Sequence, residues 1–300
     1  MTQTDLSQPG SGSLGVRLAA PAVPRSLSTD RLRLAIALTT LAAFAVAESL
    51  TVFTNPFTGI ALHALTLSVL LIASGFGGQG DSIAEQPLSR LLYALALVPL
   101  IRIVSLTMPL GRFGEETYWF LAAGLPVLVA AVVVMITLRI RLRDVGLRLG
   151  RPALHLHPLV ILFGLVLGFA EYHILRPEPL IDELTLSRFV VPALVLMFAT
   201  GLLEEFIFRG ILQRTASAAL GPLAIIYVSV IFAILHIGYR SGTDIVFVFL
   251  IALLYGWVVR KTGSIIGVSV SHGVTNITLF LLVPFIPVLA AQPDWLPPIM

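Results

Sequence analysis

The 300-residue chain is 57% hydrophobic and only 12% charged, whereas a soluble domain of ordinary composition carries about 25% charged residues. So few charges cannot cover the surface of a soluble fold, and the composition therefore predicts a protein whose solvent is lipid. The absence of cysteine excludes a thiolate nucleophile, a cysteine-based metal site and disulfides. The net charge is only +3, and the sequence shows no basic face interleaved with aromatic residues. No nucleic-acid partner is therefore expected.

Hydrophobic segments long enough to cross a bilayer, about 20 apolar residues each, follow one another with short gaps. No strand-like alternation competes with them. The sequence therefore predicts an all-α, polytopic transmembrane bundle of eight or nine spans, and nine by direct count. They are expected near residues 34–53, 59–76, 91–108, 119–138, 158–175, 189–213, 220–236, 245–259 and 264–283.

The chain divides into four regions by composition. Residues 1–30 are polar and rich in Ser, Gly and Pro, which predicts a disordered tail. Residues 31–180 hold apolar spans without a specific motif, 184–285 hold the predicted catalytic core, and 286–300 form a C-terminal tail. The fifth span contains Gly164 and Gly168, a GxxxG spacing that permits close helix contact.

Basic residues in the short loops predict the orientation in the membrane, because cytoplasmic loops carry an excess of Lys and Arg. Nine spans with a cytoplasmic N-terminus place three basic groups inside, and the acidic loop with Glu178, Asp182 and Glu183 outside. We therefore expect a multi-pass protein of the plasma membrane. The basic groups are Arg17, Arg25, Arg31 and Arg33, then Arg139, Arg141, Arg143, Arg148 and Arg151, and finally Arg260 and Lys261.

The predicted sixth span carries three charges in one and a half turns, Glu204, Glu205 and Arg209. Each charge costs about 2.5–3.5 kcal/mol at the bilayer centre on insertion scales, so all three must face protein or water. Glu205 and Arg209 are four residues apart and can pair on one helix face. Glu204 lies about 100° around the helix and is expected to remain free.

Two further spans bring polar groups to bilayer depth. His236 ends the predicted seventh span, and His272 and Asn276 share one face of the ninth. At 1.5 Å per residue, His236 lies about 24 Å from the start of its span and His272 about 12 Å, which predicts unequal depths. One carboxylate, two imidazoles and a carboxamide suffice for amide hydrolysis, since a carboxylate can activate water and His and Asn can stabilise an oxyanion.

The remaining intramembrane ionisable residues occur singly, and we expect them to be structural: Glu48, His63, Arg102, Glu171 and His173. The chain has no HExxH motif. A GxGD string at residues 78–81 lies in a Gly-rich loop with no partner Asp in an earlier span, and we interpret it as a chance match.

Three motifs occur in order: EExxxR from Glu204 to Arg209, FxxxH from Phe232 to His236, and HxxxN from His272 to Asn276. In this order and spacing the chain resembles the CAAX prenyl endopeptidase and bacteriocin-processing (CPBP, or Abi) family of intramembrane proteases, from about residue 184 to 283. The resemblance implies that Glu204 is the general base, assisted by His236. It implies that His272 and Asn276 hold the oxyanion, and that Glu205 and Arg209 brace the site.

The resemblance leaves the role of metal open, because the family has been described both as metal-dependent and as metal-free. We expect no cofactor. If zinc were used, Glu204, His236 and His272 would be its ligands. The expected partners are the lipid bilayer and a membrane protein or peptide substrate, with a CAAX-type prenylated chain as one candidate. Two other hypotheses are a non-enzymatic bacteriocin-immunity or scaffolding protein of the same fold and a proton-coupled transporter.

Overall fold

The computed structural model describes residues 27–76, 86–109, 116–148 and 155–287. These residues form helices without any strand, and they include eight segments long and apolar enough to cross a membrane. The predicted polytopic helical bundle is therefore confirmed. Its helices are α1 Leu27–Phe53, α2 Pro56–Phe76, α3 Pro87–Leu95, α4 Leu97–Thr107, α5 Glu116–Thr137, α6 Leu156–Leu175, α7 Leu186–Val195, α8 Leu203–Glu205, α9 Gln213–Leu220, α10 Ala224–Ile234, α11 Gly242–Thr262 and α12 Ile266–Ile277.

Parts of the predicted tails and one string lie outside the described residues. The predicted disordered segment 1–30 is described only from Leu27, where α1 begins, so its last four residues are helical. The GxGD string at 78–81 lies outside the described ranges, as does the C-terminal tail beyond residue 287.

The predicted sixth and seventh spans form one apolar helical run, Leu186–Tyr239, that turns back on itself. Its turn is at Gly221, whose φ of +63° suits glycine, and the following proline cannot continue the helix. Beyond the turn α10 packs back against α9, and the rings of Phe208 and Phe232 meet with centroids 4.9 Å apart. The direct count of nine and the eight segments found differ because the two arms of this hairpin belong to one continuous run.

Small residues let α12 lie close to α6. A Cβ on Gly164 would lie 2.6 Å from the carbonyl oxygen of Ser271, so glycine is needed for this approach. The Ser271 hydroxyl donates to the Val160 carbonyl at 2.6 Å, and the Thr275 hydroxyl donates to the Gly164 carbonyl at 3.2 Å. The close helix contact predicted from the GxxxG spacing is therefore present.

The opposite side of α12 is packed as tightly against Leu196–Leu202, the π-helical stretch that follows α7. A Cβ on Gly201 would lie 2.6 Å from the backbone nitrogen of Gly273, and one on Gly273 would lie 2.5 Å from the sulfur of Met197. Close packing on both sides leaves α12 little freedom to slide or rotate, which fixes the direction of its polar side chains.

The described residues of the three basic groups predicted to be cytoplasmic lie at one end of the bundle. Arg214 donates to the Asp144 carbonyl at 2.9 Å, and the Ile265 nitrogen donates to the Gly146 carbonyl at 3.0 Å. These bonds join the loop after α5 to the start of α9 and to the α11–α12 turn. At α1, Thr40 bonds Tyr227 at 2.7 Å and Val52 accepts from Arg240 at 2.8 Å, so α1 runs parallel to α10 and starts at the same end.

Substituting Gly164 by Ala should destabilise the fold, although alanine favours a helix by about 1 kcal/mol over glycine. The added Cβ would meet backbone that two further contacts hold in place, and overpacking of this kind costs about 1–3 kcal/mol. We expect a lower midpoint of thermal unfolding in detergent.

Gly75→Ala in α2 is the matched control, because nothing lies within 4 Å of the Cβ it would add. The control should unfold at or above the wild-type temperature. A Gly164→Ala protein as stable as this control would contradict the close packing of α6 and α12.

Candidate active site

The two motif glutamates lie in the short helix α8, between two π-helical stretches, Leu196–Leu202 and Phe206–Leu212. Turns of π-helix are rare and often occur at functional sites. The side chain of Glu205 is fully buried, whereas that of Glu204 is 36% exposed. This turn thus directs one carboxylate into the protein and leaves the other accessible.

Glu205 is the centre of an ion network. Its Oε1 accepts from Arg209 Nη1 at 2.9 Å and lies 3.0 Å from His272 Nδ1. The predicted pair of Glu205 and Arg209 is present. The additional contact with His272 joins the EExxxR motif to the HxxxN motif on a different helix, which spacing along one helix could not predict.

Aromatic rings enclose the Arg209 guanidinium. Its Cζ lies 4.8 Å from the centroid of Phe232 and 5.8 Å from that of Tyr255, both within cation–π range. Nη2 donates to the Ala252 carbonyl at 3.4 Å. The Phe of the FxxxH motif therefore helps to bury the positive charge that compensates Glu205.

The imidazole of His272 connects the two glutamates. Because its Nδ1 faces Glu205, its Nε2 faces Glu204 and lies 3.9 Å from Oε2 of that carboxylate. One turn later, Asn276 Nδ2 donates to Thr200 Oγ1 at 2.9 Å. That bond uses one of the two amide N–H groups of Asn276.

His236 lies in the 3₁₀ turn Leu235–Tyr239 that follows α10. Its Nδ1 is 2.9 Å from the Phe232 carbonyl oxygen. A carbonyl oxygen can only accept, so Nδ1 carries the proton and Nε2 presents a lone pair. The ring stacks on Tyr239 with centroids 5.7 Å apart, which holds this orientation.

The unequal depths expected for His236 and His272 are wrong, because both rings contact Phe232, with centroid distances of 4.9 Å and 6.1 Å. That expectation holds only if the predicted seventh and ninth spans start at the same depth in the membrane. In the structure Val145 packs against Gly210 while Gly146 bonds Ile265. Therefore α12 starts near the level of Gly210, and the hairpin continues for about 15 Å beyond it.

One cavity of about 90 Å³ brings the predicted residues together, and this is room for several water molecules. Glu171 and Thr200, which no motif indicated, are among the other residues that line it. The sequence analysis identified Glu171 as a single intramembrane carboxylate, but it belongs to none of the three motifs and was expected to be structural. The predicted residues that line this cavity are Glu204, Glu205, Arg209, His236, His272 and Asn276.

Three of the single residues expected to be structural form a cluster beside this site. Glu48 Oε1 accepts from Arg102 Nε and lies 3.1 Å from His63 Nε2. Glu48 and His63 are fully buried. Arg102 also lines a second cavity of about 240 Å³, whose walls include Glu204 and His236. His173, the remaining imidazole of that set, is buried in α6 with Nδ1 2.9 Å from the Phe169 carbonyl.

The alternative zinc ligands do not fit a metal site as they are arranged. Among the described ranges, no three His, Asp or Glu side chains are placed so that they could hold a metal ion. No step in the chemistry proposed below is therefore assigned to a metal.

Comparison with known proteins identifies the segment that carries these motifs. Residues 186–278 match the family described as type II CAAX prenyl endopeptidase, Rce1-like. The predicted resemblance to this family is confirmed for these residues. The Rce1-like segment begins with α7, ends just after α12 and contains all six residues predicted for the site. No curated protein and no solved structure matches the chain.

Substituting Glu205 by Gln should strongly destabilise the Rce1-like segment. The change leaves the Arg209 charge, whose side chain is 2% exposed, without its counter-ion. Breaking a buried pair in this way costs about 3–5 kcal/mol. Replacing both residues by Gln should cost less than Glu205→Gln alone, because no buried charge is then left unpaired.

The matched control is the exposed pair of Arg188 and Asp182, with a 3.2 Å contact and side chains 52% and 90% exposed. Asp182→Asn should change the free energy of unfolding by about 0–1 kcal/mol. Denaturation in one detergent compares all four proteins. Equal losses from Glu205→Gln and Asp182→Asn would contradict the central role of the buried pair.

Proposed function

We propose that this protein is an intramembrane endopeptidase that hydrolyses a peptide bond in a membrane-associated protein or peptide, with a CAAX-type prenylated chain as the leading substrate. The main support is the cavity that gathers Glu204, His236, His272 and Asn276 over a buried Glu205–Arg209 pair. The Rce1-like match supports a peptidase and a membrane-associated substrate. The proposal also includes the predicted location in the plasma membrane, with the N-terminus on the cytoplasmic side.

Glu204 is proposed to activate the water. It is the accessible carboxylate of the pair, because Arg209 and the Nδ1 of His272 already occupy Glu205. A carboxylate accepts one proton from water as the water oxygen attacks the carbonyl carbon of the substrate. His236 assists through the lone pair on Nε2, since its Nδ1–H is bonded to Phe232. This pairing agrees with the roles that the family resemblance implies.

Asn276 and His272 are proposed to stabilise the oxyanion of the tetrahedral intermediate. Asn276 retains a second N–H after its bond to Thr200. His272 donates from Nε2 when both of its nitrogens carry protons, and Glu205 then orients the ring through Nδ1. Donors fixed before the reaction stabilise developing charge strongly in a site that excludes bulk water.

Collapse of the intermediate breaks the C–N bond. The proton held by Glu204 passes to the leaving nitrogen, which departs as an amine, and the water oxygen remains on the new carboxyl group. Both water protons are accounted for, because the second stays on that carboxyl group until it ionises. Glu204 returns to its carboxylate form and no cofactor is consumed.

Substituting Glu204 by Gln should reduce the cleavage rate by about 10²–10⁴-fold, which is the usual contribution of a general base. The amide has nearly the same shape but cannot accept the water proton. The assay follows cleavage of a prenylated peptide ending in Cys-aliphatic-aliphatic-X by purified protein in detergent. Proteomics of membrane peptides from strains that carry each form extends the search to other substrates.

Glu183→Gln is the matched control, because it makes the same change on an exposed loop. A Glu204→Gln protein that inserts normally and cleaves as fast as this control would refute the role of Glu204. If a biological phenotype of the null strain is complemented equally well by Glu204→Gln, the non-enzymatic scaffold is favoured instead.

A chelator should leave cleavage unchanged, because the described acidic and imidazole side chains form no three-ligand site. The measurement compares the initial rate before and after dialysis against a strong zinc chelator, with zinc then added back. Loss of activity on dialysis and its recovery with zinc would overturn the metal-free mechanism.

A further inference from the structure

We propose that Arg102 is a specificity residue that binds the free C-terminal carboxylate of the substrate, close to the bond that is cleaved. This inference rests on the proposed peptidase function and deepens it. It assigns a substrate-binding role to a residue that lies outside the three motifs and outside the Rce1-like segment.

Glu48 fixes the orientation of the Arg102 guanidinium. Its Oε1 accepts from Nε, the donor nearest the chain, and Glu48 is fully buried whereas Arg102 is 17% exposed. A guanidinium is planar, so holding Nε also sets the direction of the two Nη groups. Behind Glu48, the imidazole of His63 lies 3.1 Å from the same oxygen and closes the cluster on its buried side.

The outer edge of this guanidinium is available for a ligand. Nη1 makes only a long contact, 3.5 Å, with Ser105 Oγ. Within the described part of the chain, no hydrogen bond engages Nη2. At Gly238 of the 3₁₀ turn, even an added Cβ would remain 3.9 Å from Nη2. Two parallel N–H groups of this kind match the two oxygens of a carboxylate.

The cavity beside Arg102 leads to the proposed catalytic base. Its volume is about 240 Å³, and Arg102 and Ser105 share its lining with Glu204 and His236. The wall between these polar ends is mainly apolar, with Trp119 as its largest side chain. A peptide segment that lies here would have apolar side chains and would present a negative group to Arg102.

A peptide offers two sources of carboxylate, its C-terminus and an Asp or Glu side chain. We favour the C-terminus, because a chain end can fill a cavity of about 240 Å³ without the continuing backbone having to leave it. Arg102 would then position the last residues so that the bond before them faces Glu204.

The test compares three peptides of one sequence: a prenylated Cys-aliphatic-aliphatic-X peptide with a free C-terminus, its C-terminal amide, and an amide whose last residue is Asp. A charge-assisted bidentate contact predicts that the free acid is cleaved about 10- to 100-fold faster than the plain amide, as kcat/KM. The Asp amide should behave like the plain amide. If the Asp amide is cleaved at the rate of the free acid, Arg102 binds a side-chain carboxylate. That result would refute the proposal that it binds the C-terminal carboxylate.

The variant is the double substitution Glu48→Gln and Arg102→Gln, which leaves no unpaired charge in the cluster. It should abolish the preference for the free acid, so that the acid and the amide are cleaved at the same rate. Arg102→Lys should restore part of the preference, because it keeps the charge but loses the planar fork. Arg188→Gln, on the exposed loop, is the control and should keep the full preference.

The possible results distinguish failure of the Arg102 inference from failure of the proposed peptidase function. Equal cleavage of acid and amide by the wild type refutes the role of Arg102 and leaves the proposed peptidase intact. Equal slowing of both peptides in the double variant reduces Arg102 to a structural residue and also refutes the inference. If the wild type cleaves none of the peptides while Glu204→Gln and wild type give the same membrane peptidome, the proposed function itself fails and the inference falls with it.

Discussion

A carboxylate fully buried at bilayer depth needs compensation, and Glu205 obtains it from two different helices. One oxygen faces both Arg209, one turn away, and His272 of α12. Removing an ion from water costs several kcal/mol, so such a charge is stable only with good partners. Glu205 thereby couples the position of α12 to the helix that carries Glu204, and the arrangement of the cavity depends on this contact.

Close helix packing makes that contact possible. Without the glycines at 164, 201 and 273, added Cβ atoms would lie 2.5–2.6 Å from their neighbours, and α12 would have to move away from α6 and from the π-helical stretch. Lipid provides little hydrophobic drive for helix association, so small residues and interhelical hydrogen bonds take over that role. The same packing therefore stabilises the bundle and orients His272 and Asn276 towards the cavity.

The N-terminal helices, which carry no family motif, also reach the site. The cluster of Glu48, His63 and Arg102 joins α1, α2 and α4 and presents a guanidinium to the cavity that Glu204 shares. Its residues lie up to 54 positions apart in the chain. Singly they are unremarkable intramembrane polar residues; together they form a fixed cationic group beside the proposed catalytic carboxylate.

The helical membrane fold, the small-residue contact of α6 and the pairing of Glu205 with Arg209 could be predicted from the sequence, because apolar length and the 3.6-residue repeat are local properties. The packing of the helices was needed to show that His272 contacts Glu205, that His236 lies level with the site, and that Arg102 lines a cavity shared with Glu204. Depth along a single helix cannot show where a neighbouring helix begins, and here the loop at Val145 and Gly146 sets the start of α12. Contacts between distant residues depend on how helices cross, which no local pattern records.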